Sequence, residues 1–379
     1  MRNSKKVLIL ASVASMIEQF NMPNIMLLLE KGYKVHVACN FMEGNTCSKE
    51  QIVRLKKSLE ELKVNYYQID FERNALNIKK NKIAYKQVLY LMKKTSYEFI
   101  HCHSPIGGVC GRLAGRMTKT KVIYTVHGFH FYKGAPLINW LIYYPIERWL
   151  ARYTDVLITI NKEDYKRARR FKAKQIEYIP GVGIDLDKFK SAEINKELKR
   201  KELDLPTDAF VALSIGELNK NKNHEVIIKA IAKLNNPRIH YIICGQGHLE
   251  NYLKKINKKL GVEQQVHLLG FREDIVEIFK VSDLFVFPSF REGLSVALME
   301  AMANGLPVIC STIRGNLDLI EDGKGGYLIE PNEIENFSIY IAKFISNIQL
   351  EELGSFNRRK IESFSIQNVL RHMEQIYQL

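Results

Sequence analysis

Short apolar, β-rich runs alternate with longer helical stretches along almost the whole of this chain. In the first half they are Val7–Ala11, Lys34–Cys39, Asn65–Ile69, Glu98–Cys102, Val122–Val126, Asp155–Ile160 and Ile176–Ile179. After the charged segment Lys196–Leu205 the pattern restarts with Phe210–Ile215, His240–Cys244, Val266–Leu269, Leu284–Phe287, Leu306–Cys310 and Gly326–Ile329. A parallel strand can be reached only by a crossover, usually helical, so the alternation predicts α/β architecture in two Rossmann-like, doubly wound domains. A length of 379 residues is enough to bury two separate cores. The predicted boundaries are 1–184 and 185–364, joined at Gly181-Val182-Gly183-Ile184-Asp185, with a final helix over 365–379. Open sheets of this kind bind ligands beyond the carboxyl ends of their strands, so the chemistry should lie in the loops that follow the apolar runs.

The most informative of those loops follows Leu284-Phe285-Val286-Phe287. Pro288 and Gly293 punctuate a turn, and Ser295 is placed to cap a helix beginning at Val296. Glu292 stands at the strand's carboxyl end and Glu300 about a turn and a half into the helix. Free N–H groups at Gly293, Leu294 and Ser295 suit a phosphate, and an ionised carboxylate suits a vicinal diol. A nucleotide sugar carries both groups.

The order Ser289-x-x-Glu292-Gly293, then Glu300-Ala301-Met302-Ala303, resembles the signature of retaining GT-B glycosyltransferases of family 4 (glycosyltransferases group 1), of the capsule and exopolysaccharide type. The resemblance implies two domains facing across a cleft. It extends over residues 98–303. Gly216 and Lys222 match the diphosphate loop, Arg272 the loop beside the base, and Glu292 the group that holds donor-sugar hydroxyls. Glu300 matches the ribose ligand. In the first domain, His127 matches the histidine near the reacting sugar, and His103, Gly107 and Gly108 fall on the acceptor side. Glu292 and His127 are therefore the expected catalytic pair. Two departures stand out. Glu217 replaces an arginine that many members carry, leaving Lys220 or Arg291 to supply the second cation, and Ser12–Ser15 lacks their Gly-Gly pair.

Charge is distributed unevenly. Residues 1–190 hold 33 Lys/Arg against 16 Asp/Glu, a net of +17, whereas residues 191–379 hold 23 against 25. The first domain should face something anionic. No nucleic-acid-binding motif is present, which leaves a pyrophosphate-linked acceptor or a membrane surface. Basic clusters at Lys79–Lys94 and Lys162–Lys174 flank Phe129–Trp149, where Phe131, Tyr132, Trp140, Tyr143, Tyr144 and Trp149 give the composition of an interfacial contact. No run approaches the roughly 18 apolar residues of a membrane span. Arg2, Lys5 and Lys6 before Val7–Ser15 outline a signal peptide, but Lys5–Ser12 fits a buried first strand that cleavage would remove. The cysteines at 39, 47, 102, 110, 244 and 310 form no Cys-x-x-Cys pair and read as buried thiols of a reducing cytoplasm.

The expected activity is transfer of a hexose-type sugar from a nucleotide-diphosphate donor, a UDP-sugar, to a polyprenyl-pyrophosphate-linked glycan, at the inner face of the plasma membrane. No cofactor and no metal are expected. Asp185-Leu186-Asp187 superficially matches a metal-binding Asp-x-Asp, but it lies in the interdomain linker. A 2-epimerase of sugar nucleotides and a non-catalytic accessory subunit are the alternatives left open.

Overall fold

A computed structural model describes residues 5–44, 48–72, 77–190, 194–346 and 350–378. Arg2 and Cys47 lie outside these ranges. The chain forms two compact units, Met1–Val182 with Gln367–Leu379, and Gly183–Ile366.

The first unit contains strands β1 (Lys6–Val13), β2 (Lys34–Asn40), β3 (Asn65–Gln68), β4 (Phe99–His103), β5 (Lys121–Val126), β6 (Val156–Thr159) and β7 (Gln175–Tyr178). They form one parallel sheet in the order β3-β2-β1-β4-β5-β6-β7. Successive side chains point to opposite faces, so β1 divides its residues between two cores. Val7, Ile9 and Ala11 pack on one face with Val369, Met373 and Ile376 of the last helix, Ile366–Ile376. Leu8 and Leu10 pack on the other, with the helices that follow β3 and β4. β1 is central and buried, and runs Lys6–Val13, one residue on from the expected Lys5–Ser12.

The second unit contains β8 (Phe210–Ile215), β9 (Ile239–Cys244), β10 (Val266–Gly270), β11 (Leu284–Phe287), β12 (Val308–Ser311) and β13 (Gly326–Ile329), in the order β10-β9-β8-β11-β12-β13. β12 starts two residues later than the apolar run Leu306–Cys310 suggests. Pro307 has no N–H to give a ladder, and only its carbonyl is used, accepting from Phe285 N at 3.0 Å.

Each sheet reverses its winding once, at β1/β4 and at β8/β11. These are the topological switch points, where the loops on either side diverge and leave a crevice at the carboxyl ends. Among the described residues no helix is long and apolar enough to cross a membrane.

Candidate functional site

At the β8/β11 switch point the loop Gly216–Asn223 meets the turn Pro288–Ser295. The two are stitched together by Phe290 N donating to Asn221 O (2.8 Å), Asn221 Nδ2 to Arg291 O (3.0 Å) and Asn223 Nδ2 to Pro288 O (3.2 Å). Lys222 Nζ, 4.7 Å from the Phe287 ring centroid, reaches Glu292 Oε1 at 2.7 Å. Gly216 makes room for that lysine: a Cβ there would lie 2.9 Å from Lys222 Cε. The turn ends in the helix Val296–Ala303, with Ser295 in extended conformation and its Oγ accepting from Leu298 N at 3.3 Å. No backbone carbonyl among the described residues accepts from Gly293, Leu294 or Ser295 N–H. A cation and open amide donors thus lie beside the positive end of the helix dipole, an arrangement suited to a diphosphate.

Glu300 sits half-buried on that helix. Burial pushes its carboxyl up to about 7, against the opposing pull of the Lys188 cation. Arg291 is exposed, as are Lys220 and Glu217. Arg272 follows β10, but its guanidinium is bound to Asp274 (Nε to Oδ1, 2.7 Å) and Glu202 (2.9 Å), in a network that includes Lys199. Its side chain is committed to that network. Asp185 Oδ1 accepts from the backbone N–H of Asp187 (3.1 Å) and Lys188 (3.4 Å), capping the short helix Asp187–Lys190.

A further cation was missed in the sequence. Arg314, buried, donates from Nε to the Glu292 carbonyl at 3.1 Å and so braces the turn. The signal was available: Thr312-Ile313-Arg314-Gly315 follows β12 as another strand-then-glycine turn.

In the first unit the β1/β4 switch point gathers histidines. His103 Nδ1 lies 3.1 Å from His127 Nε2, and His101 bridges Thr125 Oγ1 and the Tyr377 hydroxyl at 2.8 Å each. Burial holds His127 down at about 4 and His101 at about 3, and it holds His103 well below the usual imidazole range. All three are neutral at pH 7. A small cavity at His103 and His127 is also lined by Phe20, Asn24, Thr125, Val369 and Met373. Ser12, in the segment Ser12–Ser15 at the end of β1, meets the start of the helix after β4. Its Oγ accepts from Gly107 N at 3.2 Å and contacts Ser104 Oγ at 2.6 Å. Ser104 holds φ +65 and ψ 155, a sparsely populated conformation costing about 1–3 kcal/mol. Gly108 faces the sheet, where a Cβ would be 2.4 Å from the Tyr124 ring, so its position is one of helix–sheet packing. Among the described residues no three His, Cys, Asp or Glu side chains gather as a metal site, His101–His103 included.

The family model for glycosyl transferases group 1 matches residues 195–360, and that for glycosyl transferase 4-like domains matches residues 6–161. The putative glycosyltransferase EpsD of Bacillus subtilis (strain 168) is 34% identical over 383 residues, covering 99% of this chain and 96% of the relative. The chain belongs to the group 1 glycosyltransferases. A second relative of this glycosyltransferase is the UDP-Gal:alpha-D-GlcNAc-diphosphoundecaprenol alpha-1,3-galactosyltransferase of Escherichia coli, 34% identical over 298 residues, 76% of each protein. Among solved structures, Anabaena HepE in complex with UDP-glucose aligns with TM-score 0.79 at 19% identity, covering 99% of this chain and 100% of HepE. WaaG, a lipopolysaccharide-biosynthesis glycosyltransferase, aligns with TM-score 0.73 at 18% identity, covering 98% and 99%. At these identities the likeness is one of fold, and the fold of the glycosyltransferase is GT-B: two α/β domains, each on a parallel sheet.

Proposed function

We propose that this glycosyltransferase moves a sugar from a UDP-sugar to a polyprenyl-diphosphate-linked glycan during surface polysaccharide synthesis, with retention at the anomeric carbon and without a metal. The observation that carries the reading is the Lys222–Glu292 contact at a switch point, beside unclaimed amide donors at the head of the helix Val296–Ala303. The E. coli relative, named for a diphosphoundecaprenol-linked acceptor, supports the acceptor class, and the HepE complex supports UDP.

The chemistry required is cleavage of the bond from C1 to the phosphate oxygen through an oxocarbenium-like state, so the developing charge appears on the leaving diphosphate. Lys222 and the amides of Gly293–Ser295 stabilise that charge, with Arg291 at the rim. Glu292 holds sugar hydroxyls and Glu300 the ribose diol. Neutral His127 accepts a hydrogen bond from a reacting hydroxyl, with its ring oriented by His103. The reaction takes place at the cytoplasmic face of the plasma membrane, where the basic first unit meets an anionic surface.

The test is incubation of purified protein and EDTA with labelled UDP-sugars, with and without a synthetic polyprenyl-diphosphate sugar. Acceptor-dependent extension is expected. Conversion of the donor alone would identify an epimerase, turnover only after addition of a partner protein would identify an accessory subunit, and rescue by magnesium or manganese would overturn the metal-free step.

A further inference from the structure

The helix Leu137–Leu150 presents its polar and apolar residues in an unusual way. Its inward face carries Trp140, Tyr143, Tyr144, Glu147 and Leu150, packed over Phe131 and Phe171. Phe131 is fully buried, so the aromatics read in the sequence as an interfacial girdle mostly point into the protein. What faces outward is mostly apolar: Leu137 (81% exposed), Ile138 (57%), Leu141 (73%), Ile142, Ile146 and, last, Trp149 (44%), with one charge among them, the exposed Arg148. They recur at the i, i+4 spacing of one continuous stripe, with exposed Pro145 between them. The helix cannot rotate to hide this stripe. Arg112, fully buried, grips Glu147 through two hydrogen bonds of 2.7 and 3.1 Å.

The stripe does not end in neutral surface. Trp149 packs edge-on against Tyr153 (5.4 Å), and Arg116 lies over the same Tyr153 ring at 4.4 Å while donating to its hydroxyl at 2.7 Å. Beyond that ring opens a recess of about 220 Å³ lined by Arg116, Lys119, Lys121, Arg152 and Lys174. Its one carboxylate, Asp155, is taken up by Lys174 at 2.6 Å and by Val122 N at 2.8 Å. An exposed aliphatic stripe running into a cationic recess is complementary to one kind of partner, an apolar phase edged with phosphate. A protein partner would have to match a stripe of leucine, isoleucine and proline that carries only Arg148 as a charge, and also bring an anion to the recess.

We propose that this helix is the membrane-docking surface: its aliphatic stripe enters the headgroup–acyl boundary of an anionic bilayer, and the recess takes lipid phosphates. The inference rests on the reading that the acceptor is lipid-linked, and it adds the surface that meets the lipid. It also replaces a girdle built of aromatics beside Lys162–Lys174, keeping of that cluster only Lys174 at the recess, since Arg167 is already stacked over Trp140 and paired with Glu163.

The test uses the full chain with vesicles of phosphatidylcholine alone and of phosphatidylcholine with phosphatidylglycerol, read by co-sedimentation and by the emission of Trp149. The parent should bind only the anionic vesicles, with a blue shift that Trp149→Phe removes. The double variant Leu141→Ser, Ile146→Ser should lose affinity by about tenfold or more, and Lys119→Gln with Arg152→Gln should lose it by a similar factor, with less dependence on salt. Every substituted residue is exposed, and an unchanged Tm confirms folding. Transfer to a short-chain, water-soluble acceptor should be the same in both variants and the parent. Failure of transfer in all three would sink the proposed function while the vesicle result still stands. Parent-like vesicle binding by both variants, or no binding by the parent, overturns docking through this helix. A stripe that instead holds two copies together, seen as a dimer dissociated by the serine variant without vesicle binding, overturns it as well.

Discussion

Lys222 and Glu292 neutralise one another at 2.7 Å until a donor arrives, so the site stores its cation in a closed pair. On the proposed function, a diphosphate draws Lys222 away while the sugar claims Glu292. Glu292→Gln removes the competing anion. It should leave UDP bound as tightly or up to about tenfold more tightly, yet reduce turnover by about 100-fold or more, the scale of losing one transition-state contact. Weaker UDP binding by calorimetry would show instead that Glu292 serves the nucleotide. Glu300 titrates near neutrality because burial raises its carboxyl to about 7. Only the ionised form accepts two bonds from a ribose diol, so UDP affinity should climb between roughly pH 6 and 8 and become flat in Glu300→Gln. The stability effect runs the other way. A carboxyl raised on folding binds a proton between its ordinary value and 7 that the unfolded chain has lost, so the fold weakens as pH rises through that window. Glu300→Gln should regain on the order of 2 kcal/mol above pH 8 in urea titrations. That Gly216, Lys222 and Glu292 come together was legible in the sequence because each follows a strand in a fixed order. The full set of partners of the Arg272 guanidinium was not, because beside the neighbouring Asp274 it includes Glu202, seventy residues away in the chain.

Among the elements, the helix Leu137–Leu150 shows where pattern reading stops. Its inner stripe of Trp140, Tyr143 and Tyr144 and its outer stripe of Leu137, Leu141 and Ile146 are both apolar, so periodicity identifies a helix without saying which side is wet. The decision falls to one buried pair. Arg112, also bonded through Nε to Gly108 O at 2.9 Å and lying 4.1 Å from the Tyr124 ring centroid, accepts only a face that brings it a carboxylate. Glu147→Ala leaves that guanidinium charged and unpaired in the interior and should cost about 3–5 kcal/mol in chemical denaturation. A loss under 1 kcal/mol would mean that water reaches Arg112 and that the helix is held by its aromatics alone. The strands were the most legible elements, because a strand covered on both faces is a continuous apolar run. Their ends were less so, since Pro307 and the side chain of Asp155 cut or cap ladders in ways that hydropathy does not register.

At the scale of the molecule, the two units carry different chemistry and different charge, and the last helix belongs to the first. Tyr377 stacks on Phe99 at 5.5 Å and hydrogen-bonds His101, which ties the end of the chain to the histidine cluster. Those histidines are buried neutral, so below their ordinary value the unfolded chain binds protons that the folded chain does not. Their contribution is whole above about pH 6.5 and is lost as pH falls towards 4, at ~1.4 kcal/mol per pH unit for each histidine so held. Both tryptophans, Trp140 and Trp149, lie in the first unit, so their fluorescence should report its weakening across that range, and flat stability from pH 7 to roughly 4.5 would contradict the neutral cluster. On the proposed function the second unit binds the donor, with its diphosphate held by Lys222 and the turn after β11. Calorimetric titration of UDP into the full chain in EDTA, repeated with Lys222→Ala, tests this most directly. One site per chain and a loss of about 10–100-fold in the variant are predicted; equal affinity in the two proteins, or binding that appears only when magnesium is restored, would contradict it.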